Sequence, residues 1–163
     1  MKVARALTIV LIFLFLATPS LAGDKVGLVI GKNLKTGMPL KEVFALLGIP
    51  KTFVLRRGTE PRTDSVAMEY PANGVVIHFM NKKKVVEEIE VLPSFKGTFS
   101  AGIKIGTKFN DLIAKYGMPK SLHAQVARYP DQGMFFILEK EALVSARLFR
   151  KNSKILDLQL INK

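Results

Sequence analysis

The chain has 163 residues and 48% hydrophobic content, enough to bury the core of one ordinary domain or two small ones. Its formal net charge of +12 suits an anionic partner, but scattered lysines that keep a basic protein in solution are the favoured interpretation. The lack of cysteine excludes disulfides, thiolate chemistry and a lipid anchor of the bacterial lipoprotein kind.

The N-terminus has the pattern of a secretory signal peptide. Lys2 and Arg5 make the start basic, residues 7–17 form an apolar run, and small residues precede a cleavage site after Ala22. The run is shorter than the roughly 20 residues that span a bilayer, so a cleaved signal over residues 1–22 is favoured over an inner-membrane anchor. We therefore expect a periplasmic protein, with secretion as an alternative and nucleic acid disfavoured as a partner.

An internal duplication defines the predicted helices. GMPLKEVFALLGIP over residues 37–50 and GTKFNDLIAKYGMP over residues 106–119 begin with glycine and end with Gly-x-Pro at the same spacing. Apolar residues recur at i, i+3, i+4 and i+7, which predicts a short helix with one buried face. Gly48 and Gly117 should end these helices with positive φ. The predicted buried faces are Leu40, Val43, Phe44 and Leu47 in the first copy and Phe109, Leu112, Ile113 and Tyr116 in the second.

A three-stranded antiparallel meander is predicted after each helix. Residues 52–65 are polar and charged and are interpreted as a loop. The segments YPANG (70–74) and YPDQG (129–133) have the Pro and Gly of hairpin turns, and alternating apolar residues flank both. A last strand is expected at residues 154–161, where it would cover a sheet edge.

These patterns predict an α+β fold of two tandem repeats, each with a short helix or helices packed on a three- to four-stranded antiparallel meander sheet. The first repeat is placed at residues 23–92 and the second, with its extra C-terminal strand, at residues 100–163. Residues 93–99 contain Pro93, Gly97 and little charge, so they are predicted to link the two lobes.

The duplicated helix with its Gly-x-Pro end, polar loop and Tyr-containing hairpin resembles the repeat unit of outer-membrane assembly lipoproteins of the BamE (SmpA/OmlA) type. It is also similar to the tandem-repeat fold of the beta-lactamase inhibitor proteins. The resemblance covers about residues 31–150 and implies a scaffold for protein–protein contact without catalysis. The chain departs from both families, because it lacks the lipid-anchor cysteine of the first and the disulfides of the second.

The sequence offers few groups for catalysis. His78 and His123 have no metal-ligand spacing around them, so an exposed sheet-face or loop position is favoured for both. Glu87, Glu88 and Glu90 lie beside lysines and are interpreted as a solvated strand face. We expect no enzyme activity, no cofactor and no metal.

Positive charge is the one surface property that suggests a site. The leading hypothesis is an exported binding or adaptor protein of the bacterial cell envelope, which contacts a protein partner through the groove between the lobes and the loop at residues 53–64. The alternative is an envelope protein that binds anionic lipid or lipopolysaccharide, and an exported hydrolase is the least favoured. The candidate binding residues are Arg56, Arg57, Arg62, Lys82, Lys83, Lys84, Arg147 and Arg150.

Overall fold

The computed structural model describes residues 27–58, 61, 64–80 and 82–153. The predicted signal peptide, Arg62 and the predicted last strand lie outside these residues. In the described part of the chain no helix has the length and hydropathy needed to cross a membrane.

The described residues form ten strands and two α-helices. The helices are α1 (Leu40–Leu47) and α2 (Phe109–Tyr116), and Pro130–Gln132 forms a single 3-10 turn. The strands are β1 (Val29–Ile30), β2 (Thr52–Arg56), β3 (Ser65–Tyr70), β4 (Val75–Met80), β5 (Glu88–Val91), β6 (Thr98–Phe99), β7 (Ser121–His123), β8 (Val126–Tyr129), β9 (Met134–Glu139) and β10 (Ala142–Phe149).

The predicted fold of two helix-on-meander repeats is wrong. Eight strands form one continuous antiparallel sheet in the order β2-β3-β4-β5-β10-β9-β8-β7, while β1 and β6 pair in parallel as a small second sheet. The halves join where β5 pairs with β10, with Ile89 opposite Leu148 and Val91 opposite Ala146. A meander that ended at β5 would leave this strand as an open edge, and pairing with β10 satisfies its backbone. The protein is therefore mostly β.

Both helices pack on the same face of this sheet and share one core. Val43 of α1 and Leu112 of α2 are fully buried, and they belong to the same cluster as Ile77 and Phe136 on the sheet. From β6, Phe99 makes an edge-to-face contact with Phe136, with ring centroids 5.6 Å apart. The core is thus continuous across the junction of β5 and β10.

The predicted helices and their glycine ends are confirmed. Gly48 has φ 77° and donates its N–H to Phe44, and Gly117 has φ 80° and donates to Ile113. A tyrosine from each hairpin then reaches the carbonyl of the corresponding glycine. The Tyr70 hydroxyl lies 3.3 Å from the Gly48 oxygen and the Tyr129 hydroxyl 3.0 Å from the Gly117 oxygen. These two bonds explain why each copy carries a tyrosine before its turn.

Residues 93–99, predicted as a linker, pack against the body of the protein. Phe95 is buried, and the backbone of this segment continues into β6, where Thr98 and Phe99 pair with Val29 and Ile30. Its Phe95 N–H donates to the Leu92 oxygen. The segment therefore connects the halves of the sheet through ordered contacts.

One predicted core position on α1 is wrong, since Phe44 is 41% exposed while Val43 is fully buried. The buried side of α1 is therefore narrower than its apolar stripe. Replacing Val43 by Ala should lower the free energy of unfolding by about 2 kcal/mol, because it leaves a cavity. Phe44→Ala should cost less than about 1 kcal/mol. Urea denaturation of both variants tests this order, and equal losses would contradict it.

Candidate binding surfaces

Four charged or titratable side chains meet where the two halves of the sheet join, on the face opposite the helices. We call His78, Glu88, Glu90 and Arg147 the seam cluster. Cross-strand register brings them together, since His78 pairs with Glu88, and Arg147 pairs with Glu90. Paired residues of neighbouring strands point to the same face, so all four side chains lie on one surface.

The seam cluster is an ion-paired network. Nε of Arg147 lies 2.7 Å from Oε1 of Glu88, and its Nη2 lies 3.9 Å from Oε2 of Glu90. Nε2 of His78 lies 3.4 Å from the same Glu90 oxygen. A basic residue and a histidine thus hold two neighbouring carboxylates whose charges would otherwise repel.

The predicted exposure of His78 and the predicted solvated face of the three glutamates are wrong. His78, Glu87 and Glu88 are buried, and the Glu90 side chain is about one third exposed. The reason is the sheet junction, because pairing with β10 turns β5 from an edge into an interior strand. His123 is exposed at the end of β7, as predicted.

The pKa values of the two carboxyl groups in the seam cluster are shifted in opposite directions. Burial raises the pKa of Glu88, and the positive charges of His78 and Arg147 offset part of this shift. The pKa of Glu90 is lowered, first by its hydrogen bond with His78 and then by the charge of Arg147. Arg56 on β2 acts on Glu90 in the same direction. Glu90 is therefore the more readily ionised carboxyl of the two.

A second network lies at the end of β10 and uses two of the predicted binding residues. Oε1 of Glu87 lies 2.8 Å from Nη1 of Arg150 and 3.4 Å from Nζ of Lys83. Arg57 is paired with Asp64 at 3.1 Å, next to the loop that follows β2. These three basic residues neutralise acidic groups of the same chain.

The structure therefore divides the predicted basic site. Lys83 and Arg150 meet at Glu87, and Arg56 and Arg147 lie on opposite sides of Glu90. Lys82 and Lys84 are exposed between β4 and β5. An open groove of about 350 Å³ next to His78 and Glu90 separates β2 from the seam cluster.

The groove does not resemble a metal site. Among the described residues no three His, Asp or Glu side chains are grouped as metal ligands. Its walls are Val54, Arg56, Ala67, Glu69, Tyr70, Pro71, Val76, His78, Glu90 and Leu92.

A second surface, which the sequence interpretation missed, lies at the β2 edge of the sheet. We define the edge patch as Phe44, Ile49, Phe53 and Leu55, whose exposed fractions are 41%, 90%, 57% and 51%. Residues 52–56 were predicted to be part of a loop, which is wrong, since they form β2 and pair with β3. The apolar string Phe53-Val54-Leu55 is the signal that predicts a strand here.

The edge patch has a smaller counterpart at the other end of the sheet. Met118 and Leu122 occupy the positions of Ile49 and Phe53 in the second copy, and they are 75% and 53% exposed. Their strand, β7, has three residues against five in β2. The duplication thus exposes apolar side chains at both edges, and more of them at β2.

Comparison with known proteins identifies no family. No protein-family model and no curated protein matches the chain. A solved structure of an extracellular protein that contains an SCP domain, from Bacillus anthracis, shares 12% identity with a TM-score of 0.41. The match covers 74% of this chain and 45% of that protein, so the chain spans less than half the length of its structural match. A likeness at this level indicates no shared function, and the resemblance to BamE-type repeats and inhibitor proteins stays a prediction.

Proposed function

We propose that this chain is an exported, non-catalytic binding or adaptor protein of the bacterial cell envelope, and that it contacts a protein partner through the edge patch. The observation that carries this proposal is the exposure of Ile49, Phe53 and Leu55 on and beside β2, a strand that has no outer neighbour among the described residues. A soluble protein normally protects such an edge with charges, proline or a covering segment. Lys51 and Arg56 place charge at the two ends of β2, but the apolar residues 53–55 lie between them, and apolar residues concentrated at a strand edge are typical of an interaction site.

The edge patch takes the place of the groove between lobes in the earlier hypothesis. One sheet runs through the junction of β5 and β10, so the described residues form no pair of separate lobes with a groove between them. The proposed contact retains the first part of the segment at residues 53–64, now as strand β2. Phe44 on α1 and Ile49 between α1 and β2 add two exposed apolar side chains in the segment that precedes β2.

Binding to anionic lipid is less well supported. Arg147, Arg150 and Lys83 form ion pairs with buried carboxylates, which reduces the positive charge that they present to a membrane. A protein partner is favoured because an apolar strand edge offers both side chains and backbone groups for specific contact.

Replacing Phe53 by Asp tests the proposal. The variant should recover a partner from chemically crosslinked envelope extracts about tenfold less well than the parent chain, because a carboxylate would be desolvated at the interface. Leu122→Asp is the matched control, since Leu122 has the same position and nearly the same exposure at the other edge. Quantitative mass spectrometry of the captured proteins gives the measurement.

Two results would contradict the proposal. The first is equal recovery of every crosslinked protein by the parent chain and Phe53→Asp, with unchanged thermal midpoints for both. The second is salt-sensitive binding of the parent chain to phosphatidylglycerol vesicles, retained in Phe53→Asp, which would favour the lipid alternative.

A further inference from the structure

The backbone of β2 leaves hydrogen-bonding groups directed away from the sheet. The Leu92 N–H donates to the Gly74 oxygen, so this pair shows which residues of β4 and β5 are hydrogen-bonded to each other. Along an antiparallel strand, successive residues direct their N–H and C=O groups to opposite neighbours. Following the registers from β4 through β3 to β2, the backbone groups of Thr52, Val54 and Arg56 point toward β3. The N–H and C=O groups of Phe53 and Leu55 therefore point to the open edge, where no described strand lies.

The side chains at this edge are arranged for an added strand. Phe53 pairs with Met68 and Leu55 pairs with Val66, so both lie on the helix-bearing face of the sheet. Met68 is fully buried, whereas Phe53 and Leu55 are more than half exposed. A strand beside β2 would cover both apolar side chains and also satisfy their outward backbone groups.

Charge separates two of the occupants that this edge could take, a second copy of the chain and a segment of another protein. In a second copy paired antiparallel through Phe53 and Leu55, Lys51 would lie opposite Arg57. Arg57 is paired with Asp64, but its side chain is 76% exposed, and like charges placed opposite each other are destabilising. Arg56 adds to the positive charge at the same end. A segment with carboxylates at these positions would be attracted instead.

We propose that the occupant is an extended segment of a partner protein, with alternating apolar residues and with Asp or Glu near its ends, which adds to the sheet beside β2 as a further strand. This inference rests on the proposed function and specifies the chemistry of the partner. Its apolar residues contact Phe53 and Leu55, and its carboxylates lie near Lys51 and Arg56. The β7 edge offers fewer outward backbone groups than the β2 edge. By the same alternation, Leu122 is the one residue of β7 whose N–H and C=O point away from the sheet.

Two substitutions of Leu55 separate the backbone contribution from that of the side chain. Leu55→Pro and Leu55→Ala both remove the leucine side chain, but only proline removes the outward N–H. The ladder to β3 keeps its bonds in both, because Leu55 does not donate to β3. The probes are seven-residue peptides selected on the purified full chain from a random display library, then synthesised with a fluorescent label.

The selected peptides should alternate apolar residues with Asp or Glu and contain no central proline. Fluorescence anisotropy should show roughly threefold to tenfold weaker binding to Leu55→Pro than to Leu55→Ala, the effect of losing one intermolecular hydrogen bond. Equal binding to the two variants, or peptides rich in Lys and Arg, would overturn the proposal. Dimerisation of the parent chain that Leu55→Pro abolishes would also overturn it, in favour of a second copy.

The two proposals fail in different ways. If the crosslinked partner depends on Phe53 but binds Leu55→Pro and Leu55→Ala equally, protein binding stands and strand addition is refuted. If no partner depends on Phe53, the proposed function itself is refuted. Matching far-ultraviolet circular dichroism of both Leu55 variants and the parent chain ensures that folding does not produce the difference.

Discussion

Replacing Gly74 by Ala is expected to lower the free energy of unfolding by about 3 kcal/mol or more. Gly74 has φ +68°, which residues with a Cβ rarely adopt. A Cβ at this position would lie 2.4 Å from the backbone N of Phe95 and 2.5 Å from its Cα. Because the obstruction is backbone, a side-chain rotation cannot relieve it. Guanidinium denaturation followed by circular dichroism gives the measurement.

Gly102→Ala is the matched control for Gly74→Ala. Gly102 has φ +80°, but a Cβ there would meet no atom within 4 Å, so only the backbone conformation is penalised. Its expected cost is about 1 kcal/mol. Equal losses for the two variants would refute the role of the close approach between the first hairpin and Phe95. Gly133, in the second hairpin, should behave like Gly74, since its Cβ would lie 2.5 Å from the Phe149 oxygen.

The helices and their ends could be predicted from sequence because their determinants are local. The apolar spacing within residues 40–47 and 109–116 defines a helix and its buried side without reference to other segments. Gly48 and Gly117 have the positive φ that their positions as the first residues of the two Gly-x-Pro segments indicated. The exposed Phe44 shows the limit, since the width of the buried stripe depends on what the helix covers.

The joining of the sheet could not be predicted in the same way. Alternation along residues 88–91 shows which side chains share a face, but it does not identify the neighbouring strand. The sequence contains two meanders, and separate sheets or one continuous sheet both satisfy that pattern. The pairing of Ile89 with Leu148 joins residues that are far apart in sequence, and it depends on the packing of the whole chain.

The pairing of β5 with β10 also determines the candidate sites. Glu88 is buried because β10 lies beside β5, and an isolated meander would have left it on an edge strand. The edge patch was missed for a different reason. The short apolar string of β2 lies between charged residues, and the polar composition of the whole segment favoured a loop.

Replacing Arg147 by Met is expected to lower the free energy of unfolding by about 3 kcal/mol at pH 8. Methionine retains an apolar side chain of similar volume, whereas the guanidinium, which lies 2.7 Å from the Glu88 carboxylate and over the ring of Phe149, is lost. The buried Glu88 then lacks the cation nearest to its carboxylate, and its charged form becomes more costly. Urea denaturation at several pH values measures the loss.

The sign of the pH dependence follows from the direction of the Glu88 shift. A carboxyl whose pKa is raised in the folded state binds its proton more tightly there, so it reduces stability as the pH rises through the range between its unfolded and folded pKa values. Without Arg147 the pKa of Glu88 should rise further, and the deficit of Arg147→Met should therefore be larger at pH 8 than at pH 5. In a Glu88→Gln background the same arginine substitution should cost at least about 1 kcal/mol less, because no buried charge remains to be left unpaired. A deficit independent of both pH and Glu88 would mean that Arg147 stabilises the β5–β10 junction through packing alone.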